Sequence, residues 1–210
     1  MIYENDKIKI MPFSSIIEES LLIDNKNWFD SFSITNFTSH SVFPKSIKEM
    51  EQYKEIAINN KSNIVWRIFA KEKSNICKFD PHNHSSNIET SGEINGLIYI
   101  GNCSLQQIDL VNRSAEVALI IGEKEYHGKG IATQCFKWMI EHGFNRLGLH
   151  RIYAGTAEYN KGMINVCAKS GMLLERVARE ALFINGQFQN CIYYSILRSE
   201  WDELQKREER

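Results

Sequence analysis

The stretch from Ser114 to Arg146 limits the fold more than any other part of this chain. Ser114 to Gly122 (SAEVALIIG) is rich in apolar and β-branched residues and reads as a strand. A glycine-bearing loop follows, Glu125-Tyr126-His127-Gly128-Lys129-Gly130, and then a helical segment from about Ile131 to Arg146. On a helical wheel Gln134, Lys137, Glu141 and Asn145 form one narrow polar stripe. Ile131, Cys135, Phe136, Met139, Ile140 and Phe144 cover the wide remaining face. Such a helix must be packed against a sheet.

The flanking sequence supplies that sheet. Gly96 to Leu110 (GLIYIGNCSLQQIDL) reads as a strand joined to Ser114–Gly122 through a hairpin-like turn near Val111-Asn112-Arg113. After the long helix come a short strand at Arg151 to Ala157, a helix from Asn160 to Ser170 stopped by Gly171, and two strands, Leu173 to Phe183 and Phe188 to Leu197. Those two strands flank Asn185-Gly186, a strong hairpin signal. In the N-terminal third, 7–13 (KIKIMPF) alternates like a half-buried strand, 14–30 and 46–60 have helical spacing, and Asn63 to Ala70 reads as a strand. The polar stretch from Glu72 to Asn95 reads as a loop or variable excursion. The order β-α-α-β-β-β-α-β-α-β-β predicts an α/β (α+β) fold, a mixed sheet with helices on its faces.

At 210 residues, with three prolines, no internal repeat and no Gly/Ser linker, the chain is expected to be one domain over 1–210. Lys and Arg total 25 against 26 Asp and Glu, so the net charge of -1 speaks against a nucleic-acid partner; an anionic ligand would have to be recognised locally. Five cysteines, odd in number and without a C-x-x-C pair, fit neither a disulfide framework nor a zinc module, and point to a reducing cytoplasm. The start, MIYENDKIKIMPF, lacks the layout of a signal peptide, and no apolar run approaches the roughly 20 residues that cross a bilayer; no membrane partner is expected. His82 and His84 form a His-x-His pair without an evident third ligand, so no metal is expected.

A strand, a short glycine loop and a helix start make a site for a diphosphate. The first amides of a helix lack intrahelical partners, and its dipole favours negative charge there. The spacing is neither G-x-x-x-x-G-K-[ST] nor G-x-G-x-x-G, because Gly130 is followed by Ile131-Ala132-Thr133. His127-Gly128-Lys129-Gly130-Ile131-Ala132 does resemble the pyrophosphate loop (Q/R-x-x-G-x-G/A) of the GNAT superfamily of acyl-CoA N-acyltransferases. The resemblance runs from about Gly96 to Trp201. AEVALIIGEKEYHGKGIATQ looks like the family's fourth strand and coenzyme A loop, LHRIYAGTAEYNKGMINVCAKSGM like its fifth strand and following helix, and ALFINGQFQNCIYYSIL like its final hairpin. The branch most similar holds ribosomal-protein N-terminal, spermidine and amino-sugar acetyltransferases.

The resemblance implies a mostly antiparallel sheet of about seven strands whose fourth and fifth strands splay apart, with pantetheine lying in the gap. Acetyl-CoA would be co-substrate, and the acceptor a small-molecule primary amine (a polyamine or amino sugar) or a protein N-terminus. A homodimer is left open. Residue by residue, the resemblance implies backbone bonds from Leu119, Ile120 and Ile121 to pantetheine, the diphosphate on amides of His127, Gly128, Lys129, Gly130, Ile131 and Ala132, and Asn160 on the coenzyme arm. Glu116 is the candidate base, with Glu158 and Tyr159 secondary. His127 replaces the usual Gln or Arg, Met163 stands where some relatives hold serine, and Cys167 stands where many relatives place the tyrosine that reprotonates the thiolate. Cys167 is thus the candidate acid, water the other source of that proton, and a catalytically weak acyl-CoA-binding or sensor domain the alternative function. Trp28, Phe29, Phe32, Phe37 and Phe43 are candidates for an apolar acceptor wall or for the core.

Overall fold

The computed structural model describes residues 2–15, 19–37, 46–71, 93–94 and 96–208. Most of the 72–95 excursion, with Cys77, His82 and His84, lies outside the described residues, as does Phe43.

The N-terminal part contributes strands β1 (Tyr3–Glu4) and β2 (Ile8–Pro12), then helices α1 (Glu19–Asp30), α2 (Phe32–Thr35) and α3 (Ile47–Asn59). Strands β3 (Ile64–Lys71), β4 (Glu93–Ile94), β5 (Leu97–Asp109) and β6 (Ser114–Ile121) follow. The chain continues through α4 (Ile131–Arg146), β7 (Arg151–Ala157), α5 (Lys161–Lys169), β8 (Leu173–Ile184), β9 (Gln187–Leu197) and α6 (Arg198–Glu208). Eight strands follow one another in the order β1-β2-β3-β5-β6-β7-β9-β8, and β4 pairs beside β5 as a ninth. The expected seven are exceeded by β1 and β4, two residues each and too short to show any alternation.

Every pairing is antiparallel except β6 with β7, which α4 joins as a crossover. The hairpins form where the turn chemistry demands. Asn185 and Gly186 both take positive φ (55° and 76°), and the Asp109 carboxylate accepts from the Val111 and Asn112 amides at 2.8 Å each.

The apolar face of α4 is the centre of the main core. Ile131, Cys135, Phe136, Met139, Ile140 and Phe144 are all buried there against Leu105, Val117 and Ile152 of the sheet. A side chain such as Phe136, with no exposed surface, contributes about 1.5–3 kcal/mol by leaving water. The opposite face of the sheet is covered by α1 and α3, where Leu21 and Trp28 meet Phe69 and Tyr99, and Leu22 and Met50 meet Val65. A bulge places Tyr99 and Asn102 of β5 together on this second face, where the Tyr99 hydroxyl donates to Asn102 at 2.7 Å. The sheet is therefore held from both sides.

Candidate active site

The parallel ladder between β6 and β7 has only three residue pairs, Ser114–Arg151, Ala115–Ile152 and Glu116–Tyr153. Both strands continue, β6 to Ile121 along β5 and β7 to Ala157 along β9, so a gap opens between them. Hydrogen-bond phase shows which backbone groups face the gap. The Gly122 amide donates to Ile100 O (2.8 Å), which turns the even-numbered residues of β6 toward β5. The Arg151 amide donates to Arg113 O (3.1 Å), so odd-numbered residues face β7. The Val117 amide closes the last bridge of the ladder, to Tyr153 O, and Ile121 O accepts from the His127 ring, so Val117 O, both peptide groups of Leu119 and the Ile121 amide are presented to the gap. This corrects the expectation for Ile120: its peptide groups are turned to β5, and it meets the cavity by its side chain.

At the mouth of the gap stands Glu116. Its carboxylate accepts from the Gly155 amide, a group that a continued ladder would have used, and from Gln107 Nε2 at 3.0 Å. Burial pushes the Glu116 carboxyl above the usual carboxylate range, and the Gly155 hydrogen bond offsets part of that shift.

Beyond Ile121 the chain turns through Gly122, which has no room for a Cβ: one would lie 1.9 Å from the Trp28 ring. Trp28 also donates from Nε1 to Glu123 at 3.0 Å, tying α1 to the end of β6. His127 Nε2 donates to Ile121 O at 2.8 Å, and the His127 amide is spent on Lys124 O at 3.0 Å. That removes the His127 amide from the expected diphosphate set; its ring instead pins the loop to the strand. Gly130 takes φ +81° immediately before α4, a left-handed conformation that favours glycine, and no side chain caps the helix. Among the described residues, the amides of 128–133 have no backbone acceptor, since Gln134 makes the first bond, to Gly130 O at 3.2 Å. A Cβ at Gly128 or Gly130 would meet open space, so the chain leaves this end of α4 clear.

Gap and loop belong to one cavity of about 960 Å³. Leu119, Ile121, His127, Gly128, Gly130, Ile131, Ala132 and Asn160 line it, as do Glu116 and Tyr159; Lys129 is exposed, with its ammonium 4.8 Å over the Tyr126 ring. Asn160 caps α5 by accepting from the Met163 amide at 3.1 Å. Phe29 and Phe37 line the far end, Trp28 packs under the sheet, and Phe32 opens α2. Tyr159 donates to Asn36 O at 3.2 Å and its ring lies 5.3 Å from that of Phe37, fastening α2 across the cavity to the turn before α5.

Two expected residues are placed elsewhere. Glu158 is exposed, accepts from Asn190 Nδ2 at 2.8 Å and does not line the cavity. Cys167 points into the core with no exposed surface, and burial pushes its thiol up to about 12. A side chain sealed in the core does not reach the cavity, which corrects the assignment of Cys167 as the acid. Conversely, sequence reading missed Tyr193 and Cys191 of β9 and Ser104 and Gln106 of β5, which all line the cavity. The only signal for them was alternation along strands already assigned, which shows a face but not what the face meets.

Residues 27–173 match the family described as the acetyltransferase (GNAT) domain. The Bacillus subtilis protein YdaF, named as a ribosomal N-acetyltransferase, is 32% identical over 164 residues, covering 74% of this chain and 89% of YdaF. The spermidine N(1)-acetyltransferase of Escherichia coli K12 is 33% identical over 128 residues, 59% of this chain and 66% of that enzyme. The fold is shared with a spermidine N-acetyltransferase from Vibrio cholerae solved with CoA and spermine, at a TM-score of 0.73 and 22% identity over 94% of this chain and 99% of that one. With the family matched over most of its length and a relative nearly spanned, the chain belongs to the GNAT acetyltransferases and is an acetyl-CoA-dependent N-acetyltransferase.

Proposed function

We propose that acetyl-CoA lies along the gap between β6 and β7, and that a primary amine, freed of its proton by Glu116, attacks the thioester directly. The observation that carries this reading is the coincidence of three things in one cavity: a ladder that stops at Glu116, free odd-numbered peptide groups on β6, and an uncapped start of α4. Pantetheine amides have the pattern of a strand, so they can pair with Val117, Leu119 and Ile121 as an added strand would. The Leu119 amide is placed to polarise the thioester carbonyl and to hold the charge that develops on its oxygen. The diphosphate fits the amides of residues 128–133, and Asn160, whose Oδ1 is used in capping, keeps Nδ2 for a carbonyl of the arm.

An amine with a pKa of about 10.4 is mostly protonated at neutral pH, so attack requires a base. Glu116 suits that task because its affinity for a proton is already raised. Water in the cavity supplies the proton to the departing thiolate, since Cys167 does not reach it. The acceptor is a small-molecule amine or a protein N-terminus, in keeping with what the names of the relatives state. We take 1–210 as one acyltransferase domain. Release of coenzyme A on mixing acetyl-CoA with polyamines, amino sugars and N-terminal peptides tests the reading. Turnover that Glu116→Gln abolishes while acetyl-CoA affinity is kept would support it. Tight binding of acetyl-CoA with no turnover on any amine would leave a binding domain instead.

A further inference from the structure

Resting on the transferase reading above, we infer that the acceptor end of the cavity takes a primary amine with a single positive charge on an otherwise uncharged, apolar or aromatic body. Among the described residues that line the cavity, Glu116 is the one carboxylate. The charged groups that accompany it are cationic, Lys161 and Lys169, and both sit on α5. The wall at the acceptor end is built from rings and aliphatic chains, Phe29, Ile34, Phe37, Tyr53, Tyr159 and Tyr193, with the amides of Asn102 and Gln106 between them.

This composition bears directly on polyamines. One ammonium of spermidine would give its proton to Glu116 and react, but the remaining ammonium groups would enter the same space. Glu116 is the base and cannot also serve as their counter-ion. Ammonium groups desolvated among rings and amides need a paired charge. Aromatic faces are a partial substitute, yet the Tyr193 ring already carries the Arg176 guanidinium at 3.8 Å from its centre. A second cation near that ring meets Arg176 as well. An amine with one charge loses it at the moment of reaction and leaves only an uncharged body to be held, which the wall provides. A primary arylalkylamine and a peptide N-terminus with uncharged leading residues share this chemistry.

The test is kcat/KM at saturating acetyl-CoA for phenethylamine, a short peptide with a free amino group and uncharged apolar side chains, and spermidine. At least one of the two monoamines should exceed spermidine by about tenfold or more, the scale on which a missing counter-charge is read out in specificity. Preference for the peptide would indicate a protein N-terminus as the source of the amine, and preference for phenethylamine a small molecule. Gln106→Glu places a second carboxylate in the wall and should shift the ratio toward spermidine by about the same factor. Equal or better turnover of spermidine by the wild-type enzyme would overturn the inference while leaving the transferase reading intact. Turnover of an amino sugar but of none of the three would overturn the inference alone, and no turnover of any amine, with acetyl-CoA still bound, would remove the transferase reading and this inference with it.

Discussion

Three helices of this protein begin in different ways, and the difference locates the chemistry. In α3 the start is closed by a full capping box: the Ser46 hydroxyl accepts from the Glu49 amide at 3.2 Å, and the Glu49 carboxylate accepts from the Ser46 amide at 2.7 Å. In α5 the Asn160 side chain does the same duty alone. The 16-residue α4, at the centre of the core, has no side-chain cap. Its packing stabilises it enough that the first turn can be left bare, and a bare first turn is what an anionic ligand requires. The side chains close the starts of α3 and α5, and the start of α4 is left open.

That contrast is sharpened by mutation, and the largest expected effect is at the mouth of the gap rather than on a helix. Replacing Glu116 with Gln should lower kcat by about 10²- to 10⁴-fold, the range of general base catalysis, with acetyl-CoA affinity unchanged; stopped-flow rates and calorimetry separate the two. The same variant should melt slightly higher at neutral pH. The folded carboxyl holds its proton more tightly than the ordinary value of 4.5, so its contribution to stability is complete below that value and lost as pH rises through the raised folded one. A pH series of melting temperatures should therefore show the wild type losing ground to Glu116→Gln as pH rises through that window.

Next in size is the start of α4. Gly130→Val forces a β-branched residue to φ +81° and crowds the open side of the loop, and acetyl-CoA affinity measured by calorimetry should fall about tenfold or more, ~1.4 kcal/mol. Unchanged affinity would break the contrast between the helix starts. On α3, Ser46→Ala should cost about 1 kcal/mol in denaturant unfolding and leave acetyl-CoA affinity alone. The smallest effect belongs to Cys167→Ala. Its pH–rate profile should overlay that of the wild type, because a thiol sealed in the core exchanges no proton with the substrate, and a displaced alkaline limb would restore it as the acid.

The same contrast separates what could be read in the sequence from what could not. The bounds of α4 and β7 were legible to the residue, α4 because a wide apolar face at helical spacing leaves little choice. The glycine loop and the helix start behind it were legible because glycines at fixed spacing before a helix carry a mechanical reason. The Ile120 assignment failed because the phase of the β5–β6 ladder is set by pairing partners, and apolar alternation along β6 does not disclose it. Cys167 failed because motif position was taken for orientation, whereas its side chain is drawn into the space beneath α4. The aromatic lining of the cavity was half visible, in that Phe29 and Phe37 were candidates, but Tyr193 comes from β9, distant in sequence, and reaches the cavity only through the β7–β9 register that sets it opposite Gly155.

The central claim is that acetyl-CoA is held by free peptide groups at two places, the odd-numbered residues of β6 and the bare start of α4. Amide hydrogen exchange, resolved by residue with and without acetyl-CoA, tests it most directly. The account predicts new protection at Leu119 and residues 128–133, with little change at Val117, already bonded to Tyr153, at Ile120, already bonded to β5, or at the capped start of α3. Protection absent from residues 128–133, or appearing at Ile120 instead of Leu119, would contradict it.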